Sequence, residues 1–405
     1  MPTVSIIIPV YNRAHLVPQA IESVLNQIFN DYELIVVNDG STDNTEEVVR
    51  LFSDPRLKYI HQENRGVAAA RNTGLNACKG EFVAFLDDDD LFLPEKLSLQ
   101  MDILTNRPEV GLVYGVYYVQ TNYQTQMRFA GACYPHLELR DVLLGMPFHP
   151  STMIIRRKWL DLVGNFDEEL SSISDDWDLV IRLALAGCPM ECVQKPVSIV
   201  RIQPMSPTRV IHLRDPEGRK ALDKAFNDPR LPGELLDFKD MIYAIGLVRS
   251  TRALYVGPHP EQGKQLLERA LALYPPLANE HIDILTDKLL GHVTGFSLKD
   301  PEETLRNITQ HLPSDKHISR RLNRSLWGKF FMDLAFQAYQ SRQPVKCWNY
   351  MLKALVNQPS NLRNRGVISV LLRSVFGDAF VRRLTRSVKG SKPVIRQGEL
   401  DQEHY

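Results

Sequence analysis

The sequence predicts an α/β fold, a mostly parallel sheet flanked by helices, followed by an α-helical C-terminal domain. Three observations lead there. From Val4 to about Ile202, short apolar runs alternate with amphipathic segments, the pattern of strand and crossover helix. Polar and acidic clusters follow several of those runs directly, at what would be the carboxyl edge of the sheet, where open α/β sheets bind ligands. After about Asp215 the strand signals fade and the chain turns helical. The expected division is 1–215 for the α/β domain, 216–390 for a helical domain and 391–405 for a polar tail.

Each element has a local reason. Val4–Ile8 is apolar except for Ser5 and reads as a strand; the segment after it places Val17, Ile21, Val24 and Leu25 on one helical face. Glu33–Val37 is a second strand. Asp43 with Glu46 three residues on is a capping-box signature for a helix through Phe52. Lys58–Ile60 is a short third strand, and Gly66–Cys78 an Ala-rich helix ended by Gly80. Phe82–Leu86 reads as a buried strand that runs straight into four aspartates, Asp87–Asp90. Leu93-Pro94 then opens a helix with Leu97, Met101 and Leu104 inward.

Composition narrows the classes. A chain of 405 residues accommodates two domains, and 44% hydrophobic with 24% charged residues is ordinary for a globular protein. Lys+Arg and Asp+Glu both number 48, which argues against a dedicated nucleic-acid binder. The opening MPTVSIIIPVYNR has no basic n-region or cleavage site, and no run reaches the roughly 18 apolar residues of a candidate span. A cytoplasmic location is expected. The cysteines (Cys78, Cys133, Cys188, Cys192, Cys347) are odd in number, and the C-x3-C pair Cys188/Cys192 lacks a second pair at zinc spacing. Reduced thiols are the simplest expectation.

The helical half carries a weak internal repeat. Tyr255, Pro260, Ala270, Leu271 and Pro275 recur 84 residues later as Tyr339, Pro344, Ala354, Leu355 and Pro359. Each copy reads as a tetratricopeptide-like hairpin, or equally as two ordinary helical hairpins. Asn361–Arg396 holds nine basic residues against one acidic, interleaved with apolar ones. It reads either as a helix drawn to anionic lipid, giving peripheral membrane contact, or as a solvated helix covering the domain.

The aspartate run bears the chemistry. Four consecutive carboxylates at a strand end repel one another unless a cation or solvent relieves them, and a hard divalent ion prefers such oxygen ligands. An isolated acidic turn is usually only solvated, and Asn38-Asp39-Gly40 is first of all a turn signal. Asp175-Asp176-Trp177 opens a predicted helix, where the dipole favours an ionised carboxylate; Asp175 reads as a simple N-cap just as well.

Five segments together resemble the family 2 glycosyltransferases in order and spacing: Ile6–Arg13, Val36–Asp43, Glu63–Leu75, Phe85–Leu97 and Val163–Gly187. The resemblance covers roughly residues 3–205. It implies the GT-A fold and inverting, metal-assisted transfer of a sugar from a nucleotide-diphosphate sugar. A UDP-sugar is the expected donor, a hydroxyl of a saccharide or lipid-linked molecule the acceptor, and polysaccharide biosynthesis the setting. Carried over by position, Pro9, Val10 and Tyr11 lie along the nucleoside, with Arg13 and Asp88 in the same site. Asp39 accepts from the base and Arg71 helps hold the nucleotide. Asp87 and Asp89 form the D-x-D pair, with Asp89 on Mn²⁺ or Mg²⁺ and Asp87 on the ribose or a metal-bound water. Asp176 is the base, with Asp175 and Trp177 on the acceptor side. Gln203 stands where many members have a metal-binding His, so Gln203 or His212 is the candidate to complete the ion's shell. Donor selectivity is expected around His149–Thr152 and the loop after Gln203.

Other classes fit less well. A glycoside hydrolase needs no nucleotide site, and a dinucleotide oxidoreductase needs G-x-G-x-x-G where this chain has Pro-Val-Tyr-Asn-Arg. A nucleotidyltransferase shares the sheet and the metal logic but not the Asp175–Trp177 segment. A catalytically degenerate domain, acting as a scaffold through its helical half, is the alternative that Gln203 keeps open.

Overall fold

The structure, a computed structural model, describes residues 2–121, 128–130, 133–134, 137–146, 148–170, 174–202, 211–257, 259–291, 301–360 and 367–368. The chain divides into two compact units, the first running to Leu277 and the second beginning at Ala278.

In chain order the first unit comprises β1 (Val4–Val10), α1 (Val17–Leu25), β2 (Tyr32–Asp39), α2 (Thr45–Arg50), β3 (Leu57–Gln62), α3 (Val67–Ala77), β4 (Phe82–Phe85) and β5 (Leu91–Phe92). It continues with α4 (Lys96–Asn106), β6 (Leu112–Thr121), β7 (Arg128–Ala130), α5 (Leu139–Leu143), β8 (Ile154–Arg156), α6 (Arg157–Val163), α7 (Asp175–Leu185) and β9 (Met190–Ile202). Three helices close it: α8 (Ile211–Phe226), α9 (Lys239–Val256) and α10 (Pro260–Leu273).

The strands form one mixed sheet in the order β3-β2-β1-β4-β8-β6-β9-β5, with β7 paired to β6. β3, β2, β1 and β4 are mutually parallel, so their carboxyl ends share one edge. β8 turns antiparallel to β4 and β6, whereas β9 runs parallel to β6. Every residue of β1 is buried, as a central strand covered on both faces requires. Its side chains alternate: Ile6 and Ile8 join the core with α1 and α4, and Ile7 joins the core with α3 and α7. The small residues of α3 let it approach closely. A Cβ on Gly74 would lie 2.5 Å from a methyl of Ile7.

Local expectations gave way in two places. Asn44, not Asp43, is the N-cap of α2, and no capping box forms. The Asp43 carboxylate instead accepts from Ala14 N–H (3.1 Å) and Thr45 N–H (3.0 Å), while Glu46 pairs with Arg50 at 2.8 Å. The five cysteines are not all reduced: Cys133 and Cys192 form a disulfide, and Cys78, Cys188 and Cys347 are free and buried. The segment after β7 returns beside β9 and brings the paired Cα atoms to 5.4 Å, within disulfide reach, so the C-x3-C pair has no joint role.

The core on the α3 face reaches into the first helices beyond the sheet. Ala221, Leu222, Ala225 and Phe226 of α8 and Ile242 of α9 are buried in it. The second unit holds α11 (Ile282–Leu290), α12 (Pro301–Gln310), α13 (Lys316–Gln340) and α14 (Pro344–Asn357). The α9/α10 and α13/α14 hairpins match at the 84-residue offset. Ile242 and Leu326, Val248 and Met332, Gly263 and Cys347, Leu267 and Met351, and Ala270 and Ala354 are buried in both copies. A 3₁₀ turn follows each hairpin, from Pro275 and from Pro359. Small residues at the crossing and a closing Pro thus recur in both hairpins. Among the described residues no helix is long and apolar enough to cross a membrane.

Candidate active site

The site is built where β1, β2 and β4 end. Asn12, in the left-handed region at φ 52, locks the loop after β1 to the loop after β2. Its side-chain oxygen accepts from Thr42 N–H at 2.7 Å and Asp43 N–H at 3.3 Å, and its own N–H donates to Ser41 Oγ at 2.9 Å. Tyr11 is left 46% exposed at that edge, free to pack on a planar ligand. Pro9 and Val10 are buried at the end of β1. Asp39 is buried too. Its carboxylate accepts from Gln62 Nε2 (2.7 Å), Arg65 N–H (2.9 Å) and Gly66 N–H (2.8 Å), which leaves one acceptor position on Oδ2.

The aspartates after β4 divide the work. Asp90, 1% exposed, accepts from Ser151 Oγ at 2.6 Å and from Arg201 N–H at 2.9 Å. His149 stands beside it, with Nδ1 3.3 Å from the Asp90 carboxylate and Nε2 4.0 Å from that of Asp87. Ligand atoms of Asp87, Asp90 and His149 all lie within 4.8 Å of one another; Asp89 is not in that group. Burial and the neighbouring charges of Asp90 and Asp87 push Asp89 up to about 7. Burial and Asp87 push Asp90 up to about 7 as well. Asp88 rises well above the usual range through burial and Asp89, against the opposing pull of Arg13 and a hydrogen bond from the Tyr11 backbone. Asp87 moves the other way: burial pushes it up, but the Arg71 charge, the His149 charge and the hydrogen bond from Arg71 together outweigh burial and lower it. Carboxylates crowded in this manner are the setting a cation relieves.

Arg71 is the hinge of the arrangement. From α3, 4% exposed, it donates to Asp87 (2.8 Å) and to Asp175 (2.7 Å), with Phe166 5.2 Å beneath the guanidinium. One planar fork thereby joins the Asp87 carboxylate, just after β4, to the first turn of α7. Ser174 is the N-cap of α7, so Asp175 and Asp176 are helical residues and Asp175 is not a capping residue. Asp175 is fully buried. The helix N-terminus favours an ionised carboxylate, yet burial and the Asp175 charge prevail at Asp176 and raise it to about 7. Trp177 is anchored by Nε1–H to the Val142 carbonyl at 2.7 Å, fixing α7 against α5.

Sequence spacing gave His149 and Ser151 only a place along the pocket wall, and Arg201 none. They come from β8's approach and from β9, which reach the aspartates solely through the antiparallel half of the sheet. Gln203 lies outside the described residues. His212 falls in α8, and its side chain is likewise outside them.

Residues 5–164 match a family described as Glycosyl transferase family 2. Residues 5–164 thus carry a Glycosyl transferase family 2 domain. The chain is 42% identical over 120 residues to the UDP-Glc:alpha-D-GlcNAc-diphosphoundecaprenol beta-1,3-glucosyltransferase WfgD of Escherichia coli, covering 29% of this chain and 47% of that one. It is 31% identical over 199 residues to the chondroitin synthase of Escherichia coli, covering 48% and 28%. An uncharacterized glycosyltransferase of Rickettsia bellii (strain RML369-C) is 49% identical over 102 residues, 25% of this chain and 15% of that one. Matches to the Rickettsia relatives span from 15% to 57% of the relatives' own lengths. In fold, the chain is similar to S. aureus TarS, with a TM-score of 0.50 and 20% identity over 80% of this chain and 55% of that one. The likeness agrees with a GT-A sheet followed by helices.

Proposed function

We propose that this chain is an inverting, metal-assisted glycosyltransferase that moves a sugar from a UDP-sugar to a hydroxyl of a lipid-linked or saccharide acceptor. One observation carries the reading: Arg71 ties Asp87 of the diphosphate side to Asp175, next to the base, through a single buried guanidinium. Metal-side and base-side carboxylates then keep a fixed separation, which is what positioning a donor against an acceptor demands.

Tyr11 offers a ring to the base of the nucleotide, and the remaining acceptor position of Asp39 suits an imide N–H. Asp87, Asp89 and Asp90 with His149 are the residues that would hold Mn²⁺ or Mg²⁺. Carboxylate oxygens with one imidazole suit Mn²⁺ well and Mg²⁺ less so, and the raised carboxylates fit a cation's place. The ion, when bound, stabilises charge on the leaving diphosphate. Asp176 takes the proton of the acceptor hydroxyl as that oxygen attacks the anomeric carbon. Its elevation to about 7 matches a base working near neutrality. Attack from the face opposite the diphosphate inverts the centre. A lipid-linked acceptor is supported by the WfgD relative, a glucosyltransferase acting on an α-D-GlcNAc-diphosphoundecaprenol, and polysaccharide biosynthesis is the setting that goes with it. The expected place is the cytoplasm, with peripheral contact at the inner face of the membrane.

Calorimetric titration tests the donor side: UDP, GDP, dTDP and CDP, each with Mn²⁺ and with EDTA, on wild type, Asp89→Ala and His149→Ala. The expected result is metal-dependent binding of UDP that either substitution weakens. Nucleotide binding that ignores EDTA and both substitutions would refute the metal assignment.

A further inference from the structure

The two hairpins related by the 84-residue offset differ on one face. On α14, Val345, Trp348, Leu352 and Val356 are 74%, 40%, 44% and 81% exposed. Their spacing of three, four and four residues lines them along one side of the helix. The opposite side, Cys347, Met351 and Ala354, is buried. α14 is therefore apolar on both faces, whereas a surface helix carries its apolar stripe only toward the core. The matching positions of α10 are Glu261, Lys264, Glu268 and Ala272. One fold position thus carries three charged side chains and an alanine in the first copy and an aromatic-containing apolar stripe in the second, so the stripe is not a requirement of the hairpin.

Charge says what the stripe faces. Lys346 and Lys353 flank it, and the Lys353 ammonium lies over the Phe331 ring at 5.1 Å. From Leu334 to Gly377 there is no Asp or Glu and there are six Lys or Arg; through Gly398 the balance is twelve to one. The whole chain is neutral, so the basic excess is concentrated here. An apolar ridge with a Trp, flanked by lysines and free of acids, is the composition of a helix lying in a bilayer interface. An acidic protein partner would satisfy the charges but not so long an exposed ridge.

We propose that the outward face of α14 docks on an anionic lipid bilayer, with Trp348 and Leu352 entering the headgroup boundary and Lys346 and Lys353 meeting lipid phosphates. This extends the reading of a lipid-borne acceptor, but its test requires no turnover and so fails or stands independently of it. The full chain is sedimented with vesicles of phosphatidylcholine alone and of equimolar phosphatidylcholine and phosphatidylglycerol. Wild type is compared with the double variant Trp348→Gln, Leu352→Gln and with Leu162→Gln, an exposed apolar residue (65%) on α6. Wild type and Leu162→Gln should pellet with the anionic vesicles only. The double variant should lose at least about tenfold in partitioning while keeping the wild-type thermal midpoint.

Four results would overturn the proposal. Two are a wild type that does not pellet with anionic vesicles and a double variant that pellets like wild type. A lipid-free wild type that sediments as a dimer, with the double variant a monomer, would assign the stripe to a second copy. A lowered thermal midpoint in the double variant would show that another part of this chain covers it.

Discussion

At the scale of single residues, the arrangement turns on which carboxylates stay ionised. Arg71 holds Asp87 down by direct pairing, and the same guanidinium meets Asp175, where burial nonetheless raises the carboxyl above its usual range. Asp176 has no such partner and rises to about 7 through burial and the Asp175 charge. A base must be deprotonated to act, so transfer should climb as pH rises through about 7 and level off above it. Asp176→Asn should remove that limb and lower turnover by about 10²–10⁴, with nucleotide affinity unchanged. A wild-type limb near pH 4, or a substantial rate left in Asp176→Asn, would place the base elsewhere. The aspartate run and the Asp175-Asp176 pair were legible because each is contiguous in sequence. His149 was not: it lies some 60 residues from the run and joins it only through sheet pairing that no local spacing encodes.

Among elements, the parallel half of the sheet was legible because β1, β2 and β4 are apolar runs buried on both faces. The other half was not. β5 and β8 are two and three residues long, too short for a periodicity to register. The α2 cap failed for a related reason, since Asp43 had a better use across the Asn12–Ala14 turn than at its own helix. The α3/β1 contact gives the element-scale prediction. Gly74 lets α3 lie against Ile7, and an added Cβ would meet the Ile7 side chain at 2.5 to 3.1 Å. Gly74→Ala should gain some helix propensity yet lose about 1–3 kcal/mol to overpacking, measured by denaturant unfolding. Because α3 also carries Arg71, nucleotide affinity should fall with it. A variant as stable as wild type would mean that Ile7 changes rotamer freely.

For the whole molecule, the question is where the catalytic body ends. Strand signals stop near residue 202, but the core does not. Ala221, Leu222, Ala225 and Phe226 are buried against the α3 face of the sheet, and Leu235 and Ile242 follow them. Lys224 adds a polar tie. Its ammonium lies 2.6 Å from Asp178, which is 2% exposed on α7, and 2.7 Å from Asp167. Ending the chain at residue 215 would strip apolar cover worth roughly 1.5–3 kcal/mol per large side chain, against a total stability of about 5–15 kcal/mol. It would also leave Asp178 with Arg182 alone. A chain of residues 1–277 keeps these contacts and every proposed donor-site residue. It should unfold in one cooperative transition and bind nucleotide with the metal dependence and affinity of the full chain. Residues 1–215 should show no cooperative transition, by calorimetry or by near-UV dichroism. If the shorter chain instead folds and binds like the longer one, α8 and α9 are an accessory layer, and the helix of the base is held by the sheet alone.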